Sequence, residues 1–341
     1  MIRLNCDYLE GCHPAILKRL AETNLEQTAG YGLDPYCDEA ADMIRETFQC
    51  EKSAVHFLVG GTQANTTVIA SALRPYEGVL CAETGHINVH ETGAIESSGH
   101  KVLALPGKDG RITATQVNVA CALQADDEHT VRPGMVYISL PTEVGTMYNL
   151  SQLKDLYYTC QQLGLYLFID GARLGYGLAS PVNDLTNADV ARYCDVFTVG
   201  GTKVGALFGE AVVINNPALN VRFRYMIKQR GGMLAKGRLL GIQFSTLMKD
   251  GLYFTIAKKA VDQAMRIRAA LMEKGIPLRI DSPTNQLFPV LTDDQLDAIC
   301  AEFDVALWER ADESHSVVRI CTSWATPDET VDLLIAAVKG L

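Results

Sequence analysis

Up to about Pro217, short apolar runs rich in β-branched and aromatic residues alternate with longer segments whose apolar residues recur at helical spacing. This alternation constrains the fold more than any other feature, because it is the sequence form of a mostly parallel sheet with covering helices, an α/β fold. The strand-like runs are AVHFLV from Ala54, GVLCA from Gly78, KVLAL from Lys101, MVYIS from Met135, YLFID from Tyr166, VFTVG from Val196 and AVVI from Ala211. Between them, TQANTTVIASAL, ATQVNVACALQ and SQLKDLYYTCQQLG carry apolar residues near a 3.6 period, and Ser151 is the expected N-cap of the last.

Past Pro217 the character changes to long helical patterns through RFRYMIK, GRLLGIQFSTLMK and FTIAKKAVDQAMRIRAALMEKG. A shorter mixed segment follows Pro277: QLFPVL, a helix from Asp293, VALWER, SVVRICT and a last helix from Pro327. With 341 residues the chain exceeds what one core comfortably serves. The expected division is a large α/β domain over 1–245, including an N-terminal arm, and a small C-terminal α+β domain over 246–341. No repeat, low-complexity tract or linker-like run separates them, so the two parts are expected to share an interface.

A formal net charge of −10 argues against nucleic acid, whose binding requires surplus Lys and Arg to neutralise phosphates. An anionic small molecule remains compatible, since local N–H groups and a few basic side chains suffice to hold one. The opening MIRLNCDYLEGCHP meets acidic residues and a Pro before an apolar leader could develop, and no stretch approaches the roughly 18 apolar residues of a membrane span. The expectation is a cytoplasmic protein without membrane contact. Ten cysteines are scattered singly, without a C-x-x-C pair, and are expected to be reduced.

Three motifs carry chemistry. In LVGGTQAN a glycine pair stands between a strand and a helix start, so the backbone N–H groups of Gly61 and Thr62 would meet the positive end of a helix dipole and could cradle an anion. The same residues could equally form a plain turn. Asp170 ends YLFID and is followed by GAR, placing a carboxylate at the carboxyl end of a buried strand, where ligands of open α/β sheets sit. It could pair with a ligand's ring nitrogen, or cap the next turn with Arg173 as its ionic partner. Lys203, in VFTVGGTKVGALFGEAVV, follows another strand among glycines; desolvation there would lower its pKa and make it a better nucleophile toward an aldehyde, unless its head simply reaches solvent.

The order GGTQAN, His86, DGAR, GGTK, together with YGLDP near the N-terminus, RGGM from Arg230 and VRICTSWATPDE near the end, resembles the threonine aldolase and β-eliminating lyase family of fold-type I pyridoxal-phosphate enzymes over essentially the whole chain. The resemblance implies an aspartate-aminotransferase-like fold, pyridoxal 5′-phosphate as cofactor, a small amino-acid substrate and a homodimer or homotetramer with a composite active site. It implies Lys203 as the Schiff-base lysine, Asp170 as partner of the ring nitrogen, Arg173 against the ring's phenolic oxygen, and Gly61 and Thr62 as phosphate ligands. His86 matches the residue stacking on the cofactor ring, Arg319 in VVRICT the clamp on the substrate carboxylate, and Tyr31 a tyrosine near the adjacent subunit's site; Arg230 and Lys236 are candidate phosphate contacts from a neighbouring chain.

Two positions depart from the family pattern. Members often carry a serine touching the substrate carboxylate where this chain has Cys6 before Asp7, and many carry a histidine where this chain reads LPTEVGT with Glu143. Glu143 is therefore a candidate base for the β-hydroxyl, or else a structural acceptor of backbone N–H groups in the turn before Gly145. The expected reaction cleaves Cα–Cβ of threonine, allo-threonine or phenylserine to glycine and an aldehyde. Aminotransferase or β-elimination chemistry is the alternative on the same residues. More remote are a non-catalytic binding protein and a metallohydrolase suggested by the H-x-x-x-H spacing of His86 and His90, which lacks an intervening glutamate and a third ligand, so no metal is expected.

Overall fold

The computed structural model describes residues 1–107, 109–124 and 127–341. A two-residue strand, β1 (Ile2–Arg3), opens the chain. Next come β2 (Ala54–Leu58), β3 (Glu77–Ala82), β4 (Val102–Leu105), β5 (Arg132–Ser139), β6 (Tyr166–Asp170), β7 (Val196–Gly200) and β8 (Glu210–Ile214). The C-terminal part adds β9 (Leu278–Ile280), β10 (Gln286–Thr292), β11 (Phe303–Asp304), β12 (Ala306–Arg310) and β13 (His315–Cys321). Every run expected as a strand is one.

Strands β2 to β8 form one sheet in the order β2-β8-β7-β6-β5-β3-β4. The pairs from β7 across to β4 are parallel, whereas β8 runs antiparallel to both β7 and β2. A short loop, rather than a crossover helix, joins β7 to β8, and such a loop can only return the chain antiparallel. The first residue of β8 therefore lies at the edge where its neighbours end: Glu210 is in register with Gly200 of β7 and Leu58 of β2.

Helices cover both faces, so side chains that alternate along a strand enter different cores. Leu167, Ile169, Phe197 and Val199 join one cluster with Phe48, Phe244 and Tyr253; Phe168 and Val196 join another with Tyr137 and Phe223. One helix start differs from expectation. The helix Leu150–Leu163 is capped by Asn149, not Ser151: the Asn149 side chain accepts from the Gln152 N–H while the Gln152 side chain returns to the cap backbone. Asn at the cap with Gln three positions on satisfies two otherwise orphaned donors, which Ser151, already inside the helix, cannot do. Likewise Pro327 is the N-cap of Asp328–Gly340 rather than its first residue.

The small sheet, β12-β13-β10-β9, is antiparallel and packs with the C-terminal helix around Leu287, Ile320, Val331 and Leu334. Leu4 belongs to this cluster, and β1 pairs with β11, so the N-terminal arm, grouped by sequence with residues 1–245, has its partner strand in the C-terminal part. The helix Leu252–Glu273 begins just after the expected division at 245 and serves both parts. Its Tyr253, Ala257 and Ala260 enter the main core; its Ala264, Ile267 and Leu271 enter the C-terminal one. No helix among the described residues is long and apolar enough to cross a membrane.

The β6 and β7 chains approach so closely at the functional edge that a Cβ on Gly200 would stand 2.5 Å from the Ala172 carbonyl oxygen. The obstacle is backbone, which cannot swing away. Gly200→Ala should lower stability by about 1–3 kcal/mol, the scale of overpacking, read from the denaturant midpoint at unchanged slope. An unchanged midpoint would show that the two strands are freer to separate than this contact implies.

Candidate active site

The ends of β2, β5, β6 and β7 and the start of β8 surround a cavity of about 350 Å³. Seven of the residues singled out from sequence line it: Gly61, Thr62, His86, Glu143, Asp170, Arg173 and Lys203. That is the crevice at strand carboxyl ends where open α/β sheets bind ligands.

The helix Gly61–Ala72 begins at this edge with Gly60 as an extended N-cap (φ −172°, ψ 167°) and no side-chain cap. A Cβ on Gly60 or Gly61 would meet nothing within 4 Å, and Gly60, Gly61 and Thr62 all line the cavity. Helix ends leave backbone donors unsatisfied and carry positive potential, which suits an anion. Gln63 ties the cradle down, accepting from the Val59 N–H at 3.3 Å and donating to the Arg230 carbonyl at 3.1 Å.

Asp170 is buried at the end of β6. Burial alone would raise its carboxyl pKa; donors reverse this and hold it below the usual range. The Tyr137 hydroxyl donates to Oδ2 at 2.6 Å, Asn65 Nδ2 to Oδ2 at 3.0 Å, and the Ala172 N–H to Oδ1 at 2.9 Å. The last bond is the turn cap foreseen for Asp170. Its proposed ionic partner is engaged elsewhere: Arg173 Nε and Nη2 lie 2.7 and 2.9 Å from the two carboxylate oxygens of Asp7, a buried bidentate pair. Asn285 Nδ2 donates to Asp7 at 2.9 Å and to the Thr322 carbonyl at 2.9 Å, fastening the N-terminal arm to the C-terminal part as Arg173 fastens it to the main one.

Asn65 also donates to Glu91 Oε1 at 2.8 Å, and the same oxygen lies 2.8 Å from His86 Nδ1. A buried carboxylate on Nδ1 leaves Nε2 as the free imidazole nitrogen, the arrangement that fixes a histidine's tautomer and ring plane. The His86 and His90 rings are tilted with centroids 5.6 Å apart, and among the described residues no group of three metal-ligating side chains occurs. Glu143 Oε1 accepts the His86 backbone N–H at 2.8 Å and the Ser139 hydroxyl. The N–H it holds thus belongs to His86 and not to the turn before Gly145, and burial pushes its carboxyl upward in pKa.

Lys203 sits in the loop between β7 and β8, closed by the Gly201 N–H donating to the Gly209 carbonyl at 2.9 Å, with the Lys203 carbonyl taking the Tyr176 hydroxyl at 2.6 Å. Burial, then the Arg173 charge, depress its ammonium pKa against the opposite pull of Asp7, Asp170 and Glu210.

Arg319, Cys6 and Tyr31, like Arg230 and Lys236, lie outside the cavity lining. Arg319, on β13, donates from Nη2 to the Asn5 carbonyl at 2.9 Å, while its buried Nε finds no acceptor among the described residues. Cys6 is half-buried beside it on the arm, and Tyr8, two residues on, reaches the cavity. Tyr31 is exposed, held at φ 62° with the Lys228 ammonium 4.9 Å over its ring and its carbonyl accepting from Arg224. Sequence reasoning missed Asn65, Glu91, Tyr137, Ser139 and Glu210. Asn65 lay inside a quoted motif, and Tyr137 alternates along β5 with apolar neighbours; nothing in the local pattern marks Glu91 or Glu210 as buried.

An open sheet with a lysine loop after one strand and an aspartate closing another is the fold-type I architecture of the aspartate-aminotransferase class. A Thermus thermophilus aspartate aminotransferase structure matches with TM-score 0.70 at 13% identity, covering 100% of this chain and 91% of that one, a likeness of fold alone. The chain belongs to the β-eliminating lyase family, whose model matches residues 4–293. Among relatives, a low-specificity L-threonine aldolase of Pseudomonas aeruginosa is 33% identical over 86% of each chain. A threonine aldolase structure from Leishmania major is 44% identical with TM-score 0.98, covering 100% of this chain and 99% of that one.

Burial would raise the Asp7 carboxyl, but Arg173 overcomes this and holds it at about 2 against an ordinary 3.8. A depressed carboxyl pKa contributes stability that is present above the ordinary value and lost as pH falls through the folded one. Between about pH 5 and pH 3 this loss is about 1 kcal/mol. Asp7→Asn should be less stable than the parent at pH 5 and should show that much less acid sensitivity in denaturant titrations. Equal pH slopes would remove Asp7 as the titrating group.

Proposed function

We propose that this chain is a pyridoxal-phosphate-dependent aldolase that splits Cα–Cβ of a β-hydroxy amino acid, with threonine, allo-threonine and phenylserine as the candidate substrates. The observation that carries this reading is the meeting, in one cavity, of a desolvated lysine, an aspartate kept ionised by three donors, and an uncapped Gly-Gly-Thr helix start. Relatives described as threonine aldolases support it.

The residues fit the cofactor on observations independent of ancestry. The cradle at Gly60 and Gly61 is open where side chains would fill it, matching a phosphate. An ionised, buried Asp170 is chemically suited to a protonated pyridine nitrogen, and the Lys203 amine, made less basic by burial, suits an aldehyde carbon. Bound there, pyridoxal phosphate supplies an electron sink for the bond-breaking step.

The protein's own contributions follow from placement. The Asn65–Glu91 pair fixes the His86 ring, which would lie against the flat cofactor, and Asp7 fixes Arg173 for the cofactor's phenolic oxygen. Arg319, with Nε free and Nη2 anchored on Asn5, would fork the substrate carboxylate near Cys6. Glu143, raised in pKa by burial yet oriented through Oε1, would take the proton from the β-hydroxyl as the aldehyde forms. Exposed Tyr31, and the Arg230 and Lys236 region near it, would complete a neighbouring subunit's site in a homodimer or homotetramer, and the cytoplasm is the compartment that suits such an enzyme.

Incubation with threonine, allo-threonine and phenylserine should yield glycine and the matching aldehyde, and borohydride should trap the cofactor on Lys203 by peptide mapping. Trapping on Lys228 or Lys236 would remove Lys203 from the role, and exchange with a keto acid in place of aldehyde release would turn the reading to transamination. Glu143→Gln should keep cofactor absorbance and glycine Cα-proton exchange but lose roughly 100-fold or more in aldehyde release. Near-normal cleavage would return Glu143 to a structural role.

A further inference from the structure

Glu210 lines the same cavity, yet no step above uses it. It is buried at the start of β8, and its Oε2 makes no hydrogen bond among the described residues. The reversed direction of β8 brings it to the edge where β7 ends in Gly200 and where the Lys203 loop begins. On its other side stands Leu58 of β2, which offers neither charge nor donor.

Three buried carboxyls, Glu143, Asp170 and Glu210, therefore line this cavity, and their surroundings differ: Glu143 accepts from the His86 N–H and the Ser139 hydroxyl. Asp170 has three donors; the unpaired Glu210 oxygen has none. An unpaired carboxylate out of water is costly, and a proton removes the cost. The charged groups acting on Glu210 are Asp170, whose negative charge opposes ionisation, and Lys203, which favours it; Tyr253, whose hydroxyl donates to the Gly200 carbonyl, is the remaining titratable neighbour. Burial, then Asp170, hold the Glu210 carboxyl well above the usual range. When neighbouring titratable groups are pushed apart in this way, the one kept neutral is the acid.

We propose that Glu210 is a further catalytic residue, a proton store in the cavity that exchanges one proton with the Lys203 amine. In the forward transfer the Glu210 O–H bond breaks, its electron pair stays on the carboxylate, and an N–H bond forms on Lys203, converting an uncharged acid and amine into an ion pair. The reverse transfer restores both neutral groups. The two side chains face one cavity without touching, so the transfer passes through a water held between them; neither direction changes the cavity's net charge, which suits a lysine whose amine must be a free nucleophile at one stage and protonated at another. The role in turnover rests on the aldolase reading; the protonation of Glu210 does not.

Infrared spectroscopy of the full-length protein at neutral pH, with and without pyridoxal phosphate, tests the proton directly. The parent protein should show a protonated-carboxyl stretch that shifts in D₂O and loses intensity in Glu210→Gln, with Glu143→Gln recorded alongside to mark any share of the band that belongs to Glu143. Absence of that band from the parent, or an undiminished band in Glu210→Gln, overturns the proposal without touching the aldolase reading. Loss of threonine cleavage and cofactor binding in the parent would instead sink the aldolase reading, while the band still decides the state of Glu210. In the loaded enzyme, Glu210→Gln should lower kcat by about 100-fold with little change in KM, with partial rescue by Glu210→Asp. A parent band combined with unchanged turnover in Glu210→Gln overturns the exchange with Lys203.

Discussion

Asp7, Asp170 and Glu210 are buried, and Arg173 and Lys203 partly so, around one end of one sheet, and the rest of the structure is organised by how that desolvation is compensated. An isolated buried charge is too costly to persist, so each group must be paired, hydrogen-bonded or neutral. All three solutions occur here. Arg173 and Asp7 pair; Asp170 is ringed by donors; Lys203 and Glu210 are each pushed toward the uncharged form. The site's chemistry is set by which solution each group receives.

The pairing of Asp7 with Arg173 reaches beyond the cavity. Asp7 lies on the arm whose β1 joins β11, while Asn285, bonded to the same carboxylate, leads into β10 of the C-terminal sheet. Breaking one partner of such a buried pair strands the other, so the arm, the main sheet and the small part are held in one arrangement by a single compensated charge. Arg319 and Cys6 are positioned by that closure.

A second chain of bonds runs inside the main part. No hydrogen bond joins Asp170 to His86, yet Asn65 spans to Glu91 and so ties the aspartate to the imidazole's partner. Because Asn65 belongs to the helix whose first turn forms the anion cradle, the orientation of three elements is fixed by one amide. Rigid strand ends and a helix start hold these groups more firmly than loops could, which is what a reaction sensitive to bond orientation requires.

The sequence by itself determined the layers and most of the cavity. Strand runs such as YLFID and VFTVG were legible because their burial on both faces leaves apolar residues in succession rather than in alternation, and DGAR and GGTK were legible because each stands at the end of such a run, where ligands bind. Only the tertiary structure decided the rest. The antiparallel return of β8 put Glu210 at the edge of the cavity, and a residue inside GEAVV carries no local mark of its burial. The partner of Arg173 proved to be Asp7, 166 positions away, in place of the nearby Asp170. Spacing along a chain records periodicity and local turns, whereas the pairing of a buried charge is settled by which distant groups the closed fold leaves without water.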